Sequence, residues 1–153
     1  MAKIAVMVGT VYGGAQYVAE QAIELLGKIG HQAQLFHPAR LSDVLKADAD
    51  HWLVITSTTG QGDIPDDLVP FYVEVQDKFP LFGDKSWAVI TLGDSSYGDT
   101  YCGSGEKVRQ LFSELQGTEL TPMLRIDAGE TLQPEDVALP WITEHYQRLA
   151  ATS

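Results

Sequence analysis

The hydrophobic period of this chain switches repeatedly between two values, and that alternation constrains its fold more than any other feature. Lys3-Ile-Ala-Val-Met-Val-Gly9 is a nearly continuous apolar run ending in glycine, the pattern of a strand covered on both faces. Val18, Ala22, Leu25, Leu26 and Ile29 then recur at helical spacing, with Gly30 where a helix C-cap belongs. Residues 32–36 read as a second strand and 52–57 as a third, buried one. Leu68, Phe71, Tyr72 and Val75 mark a short helix, with Asp66 or Asp67 as its cap and Pro70 in its first turn. Residues 87–92 form a fourth strand. Val108, Leu111, Phe112 and Leu115 give another helical stripe before Gly117, and residues 123–126 fall within a fifth strand. The last helix starts near Pro134 or Pro140 and carries Trp141, Ile142 and Leu149 inward. Buried strands alternating with helices imply an α/β fold, a parallel sheet between helix layers.

Length fits one domain: 153 residues lie close to the common domain size of ~100–150. The longest apolar runs are far shorter than a membrane span, and the first residues run straight into a strand, leaving no room for a signal peptide. Cys102 is the single cysteine, so no internal disulfide forms, which fits a reducing, cytoplasmic setting. The formal net charge is −11, from 21 acidic and 10 basic residues. A field of that sign repels nucleic acid and anionic membranes and steers toward basic protein patches. His31, His37, His51 and His145 are scattered without metal-ligand spacing and read as surface or packing residues; Trp52, Trp87 and Trp141 read as core.

In a parallel open sheet, ligands sit beyond the carboxyl ends of the strands, so the loops after strands one, three and four are where chemistry is expected. The first is Gly9-Thr10-Val11-Tyr12-Gly13-Gly14-Ala15-Gln16. Its adjacent glycines permit a sharp turn and a close backbone approach, and the helix behind it offers unpaired N–H groups to a phosphate. It holds no Lys or Arg, which argues against a Walker loop, and its glycine spacing is not that of the Gly-x-Gly-x-x-Gly fingerprint either. The second loop, Ser57-Thr58-Thr59-Gly60-Gln61-Gly62-Asp63-Ile64-Pro65-Asp66, brackets Gln61 with glycines and offers backbone donors and acceptors to the edge of a planar heterocycle. The third, Leu92 to Gly103, brings Asp94, Tyr97, Tyr101 and Cys102 directly behind a buried strand; an aromatic ring there can stack on a ligand. The second loop alone is equally well a plain surface turn, and a lone loop tyrosine is more often a surface residue than a stacking platform; only the coincidence of the three loops points to a site.

Together these segments resemble the short-chain flavodoxins and the FMN domains of diflavin reductases, and above all the small flavodoxin-like proteins of the MioC and YqcA kind. The segments that carry the similarity are VGTVYGG with AQYVAE, TSTTGQGDIPDDLVPFY, LGDSSYGDTYCGSG and IDAGETLQPEDVALPW. The resemblance implies a three-layer flavodoxin-like fold with a five-stranded parallel sheet in the order 2-1-3-4-5, binding FMN at the strand ends. By position, Thr10, Val11, Tyr12, Gly13, Gly14 and Ala15 would wrap the phosphate. Thr58, Thr59, Gly60 and Gln61 would border one side of the isoalloxazine ring, and Leu92, Gly93, Asp94, Tyr97, Tyr101 and Cys102 the other. Gly60 and Gln61 match the peptide that responds to protonation of flavin N5.

The chain departs from that pattern at several points. Gly14 replaces a usual Ser, Thr or Asn, leaving fewer hydroxyls for the phosphate, and Thr59 replaces a frequent aromatic on the inner ring face. Tyr97 best matches the family's aromatic that stacks on the outer ring face, but the third loop is one residue longer between its Tyr and Cys, so Tyr101 is the alternative stacking ring. The implied role is a low-potential electron carrier, a monomer receiving electrons from a basic-surfaced flavodoxin/ferredoxin NADP reductase or similar donor and passing them to an acceptor redox enzyme. The acidic field disfavours the added negative charge of the reduced flavin, lowering its potential. Alternatives are an FMN-dependent NAD(P)H:quinone reductase, which usually needs a longer chain, and an FMN-binding accessory protein that acts through protein contacts. Gly93-Asp94-Ser95 resembles the nucleophile motif of lipase-like esterases, but that motif belongs on the first strand and no matching His–Asp pair is evident. A phosphoacceptor receiver domain would need an acidic cluster where Gly9-Thr10 stands.

Overall fold

The computed structural model describes residues 2–10, 13–58, 63–93, 102–127 and 133–147. Within the first apolar run lies a strict alternation that composition alone hides. In β1 (Lys3–Gly9), Ala5 and Met7 join one hydrophobic cluster while Ile4, Val6 and Val8 join another on the opposite face. The same split holds in β3 (His51–Ser57), with Trp52 and Val54 against Leu53 and Ile55, and in β4 (Ser86–Gly93), with Trp87 and Val89 against Ala88 and Ile90. Two cores, one on each face of the sheet, therefore account for strands that are apolar on both sides.

The helices that cover these faces follow from their apolar stripes. On one face lie α1 (Gly14–Ile29), through Ala15, Val18, Ala19, Ala22 and Leu26, and α5 (Glu135–Tyr146), through Ala138, Ile142 and Tyr146. The other face carries α2 (Leu41–Ala47), α3 (Val69–Lys78) and α4 (Gly103–Ser113), whose Val44, Phe71, Val75, Val108, Leu111 and Phe112 pack around Trp52 and Trp87. The rings meet at angles rather than stacked flat: the Trp52 centroid is 4.7 Å from Phe82 and 5.7 Å from Phe112, the edge-on geometry that aromatic quadrupoles favour. α1 ends as expected at Gly30, whose φ of 113° lets its N–H return to Leu26 and Gly27 carbonyls. The short α2 has no stripe long enough to read in advance; its Leu41 N–H is accepted by the Glu74 carboxylate of α3 at 3.0 Å, which also holds Arg40.

All the pairings are parallel, in the order β2 (Gln32–Phe36), β1, β3, β4 and then the fifth position. That matches the order implied by the resemblance, with one refinement. The fifth position is split between β5 (Thr118–Glu119), paired with Ser86 and Trp87, and β6 (Leu124–Asp127), paired with residues from Ile90 to Gly93. The last helix starts at Glu135 behind Pro134, with Pro140 inside it; Ile142 is buried, Trp141 only half-buried, and Leu149 lies outside the described residues. No helix among the described residues is long and apolar enough to cross a membrane.

The amino ends of the strands are closed by a buried polar network. His51 bonds to Tyr146 Oη and to Ser86 Oγ, each at 2.7 Å. His31 accepts the Ala2 N–H through Nδ1 at 3.0 Å, which leaves Nε2 as the donor to the Tyr146 carbonyl at 2.6 Å. These bonds tie α5 to β1, β3 and β4 at the end of the sheet away from the three loops. The packing expected of the histidines thus holds for His31 and His51. Trp52 and Trp87 are core, as read.

Candidate functional site

Strand register brings the three loops together. Gly9 pairs with Thr56, Thr56 with Thr91, and Gly93 with Asp127, so the chain leaves β1, β3 and β4 along one edge of the sheet. Thr10, Thr58 and Gly93 consequently open three neighbouring connections at the carboxyl ends, the place where open α/β sheets bind ligands.

The first connection is shaped by two glycines acting for different reasons. At Gly9 the constraint is space: a Cβ there would lie 2.8 Å from Thr56 Oγ1 and 2.9 Å from Leu68 Cβ. At Gly13 the constraint is conformation, since its φ is 89° while a Cβ would meet nothing within 4 Å. Gly13 is the N-cap of α1, and no side chain caps that helix. Thr10 Oγ1 accepts the Gly13 N–H at 2.8 Å, and the first intrahelical bond runs from Tyr17 N–H to the Gly13 carbonyl. The opening turn of a 16-residue helix, from Gly14 onward, thus presents neutral donors and the positive end of its dipole at the loop. A Cβ on Gly14 would lie 3.8 Å from Leu92 Cδ2, so the first and third connections are neighbours.

The second and third connections share a set of hydroxyls. The Ser104 N–H, in the first turn of α4, reaches Thr58 Oγ1 at 3.3 Å, and Thr56 Oγ1 lies 3.0 Å from Ser104 Oγ while donating to the Ser57 carbonyl at 2.9 Å. Cys102, the N-cap of α4, is buried with a left-handed φ of 57°. α4 sits hard on the sheet because residue 105 is glycine: a Cβ there would come within 2.4 Å of Thr91 Cβ.

Of the residues expected to hold FMN, the structure brings Thr10, Gly13, Gly14, Ala15, Thr58, Leu92, Gly93 and Cys102 to this edge. Val11, Tyr12, Thr59, Gly60, Gln61, Asp94, Tyr97 and Tyr101 lie outside the described residues. One expectation is corrected. Neither Asp66 nor Asp67 caps α3, which begins at Val69 behind Leu68 without a side-chain cap. Asp66 is exposed. The Asp67 carboxylate instead accepts the Thr10 N–H with both oxygens, at 3.0 and 3.1 Å, and meets His37 Nε2 at 2.6 Å. Nothing in the spacing of residues 10, 37 and 67 announces that grouping, since it forms only when three connections converge. Among the described residues, no cluster of His, Cys, Asp and Glu could hold a metal ion.

These features have close counterparts. The flavodoxin family model matches residues 6–141. Flavodoxin YqcA of Escherichia coli is 40% identical over 144 residues, 94% of this chain and 96% of its own. A solved cysteine-to-serine variant of a flavodoxin from Pseudomonas aeruginosa superposes with a TM-score of 0.88 at 46% identity, covering 93% of this chain and 95% of that one. A Fusobacterium nucleatum flavodoxin bound to flavin mononucleotide shares the fold, with a TM-score of 0.73 at 13% identity over 98% of this chain and all of its own. The order of the sheet, the glycine-shaped loop at its carboxyl edge and these likenesses agree: this chain belongs to the flavodoxin family.

Proposed function

We propose that the chain binds one FMN without a covalent bond at the carboxyl edge of the sheet and serves as a low-potential electron carrier. The observation that supports this best is the uncapped start of α1 behind a left-handed Gly13, set beside Leu92 of the third connection. A phosphate fits there by accepting neutral backbone donors in the field of the helix dipole. No lysine or arginine stands in the first loop to offset its charge. Thr10, Val11, Tyr12, Gly13, Gly14 and Ala15 would hold the phosphate. Thr58, Thr59, Gly60 and Gln61 would border one side of the ring, and Leu92, Gly93, Asp94, Tyr97, Tyr101 and Cys102 the other, with Tyr97 or Tyr101 stacked on its outer face.

Bound there, FMN supplies one-electron redox chemistry, and the protein sets its potential and exposes its edge. With a formal charge of −11, the chain resists further negative charge on the cofactor, which lowers the potential of the second electron. The same field suits a basic reductase as donor and a separate redox enzyme as acceptor. A visible spectrum of the purified protein after addition of FMN tests the reading. Flavin bands with quenched fluorescence support it, and a colourless protein that leaves free FMN emission unchanged rejects it. Potentiometry then checks the electrostatic part, which an unusually high second potential would contradict.

A further inference from the structure

Three connections meet at one carboxylate. Asp67, directly after the second loop and before α3, takes the Thr10 N–H of the first loop with both oxygens, at 3.0 and 3.1 Å, and His37, directly after β2, holds the same carboxylate at 2.6 Å. The approach is enforced from below, because Leu68 packs so closely on Gly9 that any side chain at position 9 would collide with it. From Thr10 the chain of bonds continues inward: its hydroxyl accepts the Gly13 N–H at 2.8 Å, and Gly13 is the left-handed residue that aims the first turn of α1.

We infer that Asp67 is a positioning residue for the cofactor phosphate, acting through the Thr10 backbone, with His37 fixing the carboxylate. This rests on the FMN reading and assigns to that site two residues that do not touch the ligand. A bare carboxylate near a phosphate loop opposes a dianion electrostatically. Its structural effect runs the other way: both oxygens fix the plane of the Thr10 peptide before the ligand arrives, so less ordering is lost at that position on binding. Because Asp67 directly follows the second loop, the same bond also sets that loop's far end against the phosphate loop. Asn at position 67 keeps one acceptor and drops the charge, whereas Ala drops both, so the two substitutions separate the opposing effects.

The test is equilibrium titration of the full-length apoprotein with FMN and with riboflavin, which differ only in the phosphate, together with thermal unfolding of each apo variant. Asp67→Ala should weaken FMN about tenfold, the worth of one charge-assisted bond, while changing riboflavin affinity less than about threefold. Asp67→Asn should restore the wild-type ratio of the two affinities or exceed it. His37→Leu should lower that ratio in the same sense by about threefold, and it carries the test if Asp67→Ala does not fold. An unchanged ratio in Asp67→Ala and His37→Leu overturns the inference, and so does an Asn variant as weak as Ala. Failure of the wild type itself to bind FMN would instead sink the cofactor reading, and this inference with it.

Discussion

The two ends of the sheet solve opposite problems. At the amino end, His31, His51, Ser86 and Tyr146 satisfy one another, and both histidine rings and the tyrosine are buried. At the carboxyl end, Gly9, Gly13 and Gly14 strip away side chains, and α1 starts without a cap. Polar groups buried and paired make an end that holds the fold together; a helix start with no side-chain cap makes an end whose backbone donors can hold something else. The same strands run between them, so the buried network and the proposed binding edge lie at opposite ends of the sheet.

The largest expected effect tests the closed end. Burial, helped by the nearby His31, holds the His51 imidazole neutral down to a pKa of about 3, against 6.5 ordinarily. Between those values the unfolded chain takes up a proton that the folded chain refuses. Stability is therefore full above the unfolded value and falls as pH drops toward 3, by up to ~1.4 kcal/mol per unit within that window. Denaturant melts at a series of pH values should show this slope, and His51→Gln should flatten it.

Gly105→Ala comes next and acts at the open end. Its Cβ would sit 2.4 Å from Thr91, so α4 must lift from β4, at a cost of about 1–3 kcal/mol. Because Ser104 in the same turn reaches Thr58, FMN affinity should fall with it. Tyr146→Phe makes the complementary change at the other end. It leaves a buried His51 nitrogen without its partner and costs about 1–2 kcal/mol in urea melts, yet leaves FMN affinity where it was. A shift in affinity comparable to that of Gly105→Ala would mean that the two ends are coupled. The smallest effect should come from Gly27→Ala, inside α1, where a Cβ meets nothing within 4 Å; it should stabilise by ~0.4–1 kcal/mol.

Much of this architecture could be read in advance because its signals are local. β1, α1 and the Gly30 cap are written in consecutive residues, and the stripe Val108, Leu111, Phe112 and Leu115 is buried as its spacing implies. What escaped depends on residues distant in sequence. α2 is only seven residues long and draws its N-terminal acceptor from Glu74. The fifth strand divides because Thr118–Glu119 and Leu124–Asp127 reach β4 at separate points. At the site, the glycines and threonines of each loop were visible, since turn chemistry is local. Asp67 read as a cap because aspartate before a helix commonly is one, while its actual partner, Thr10, lies 57 residues earlier.

The central claim is that flavin phosphate docks at the carboxyl edge and nowhere else on the sheet. Amide chemical shifts followed by NMR during titration of the apoprotein with FMN test it residue by residue. Thr10, Gly13, Gly14, Ala15, Thr58, Gly93 and Cys102 should move together and saturate at one equivalent, while Ala2, His31, His51 and Tyr146 stay in place. Saturable shifts centred on the histidine end, or none at the glycine loop, would contradict the account.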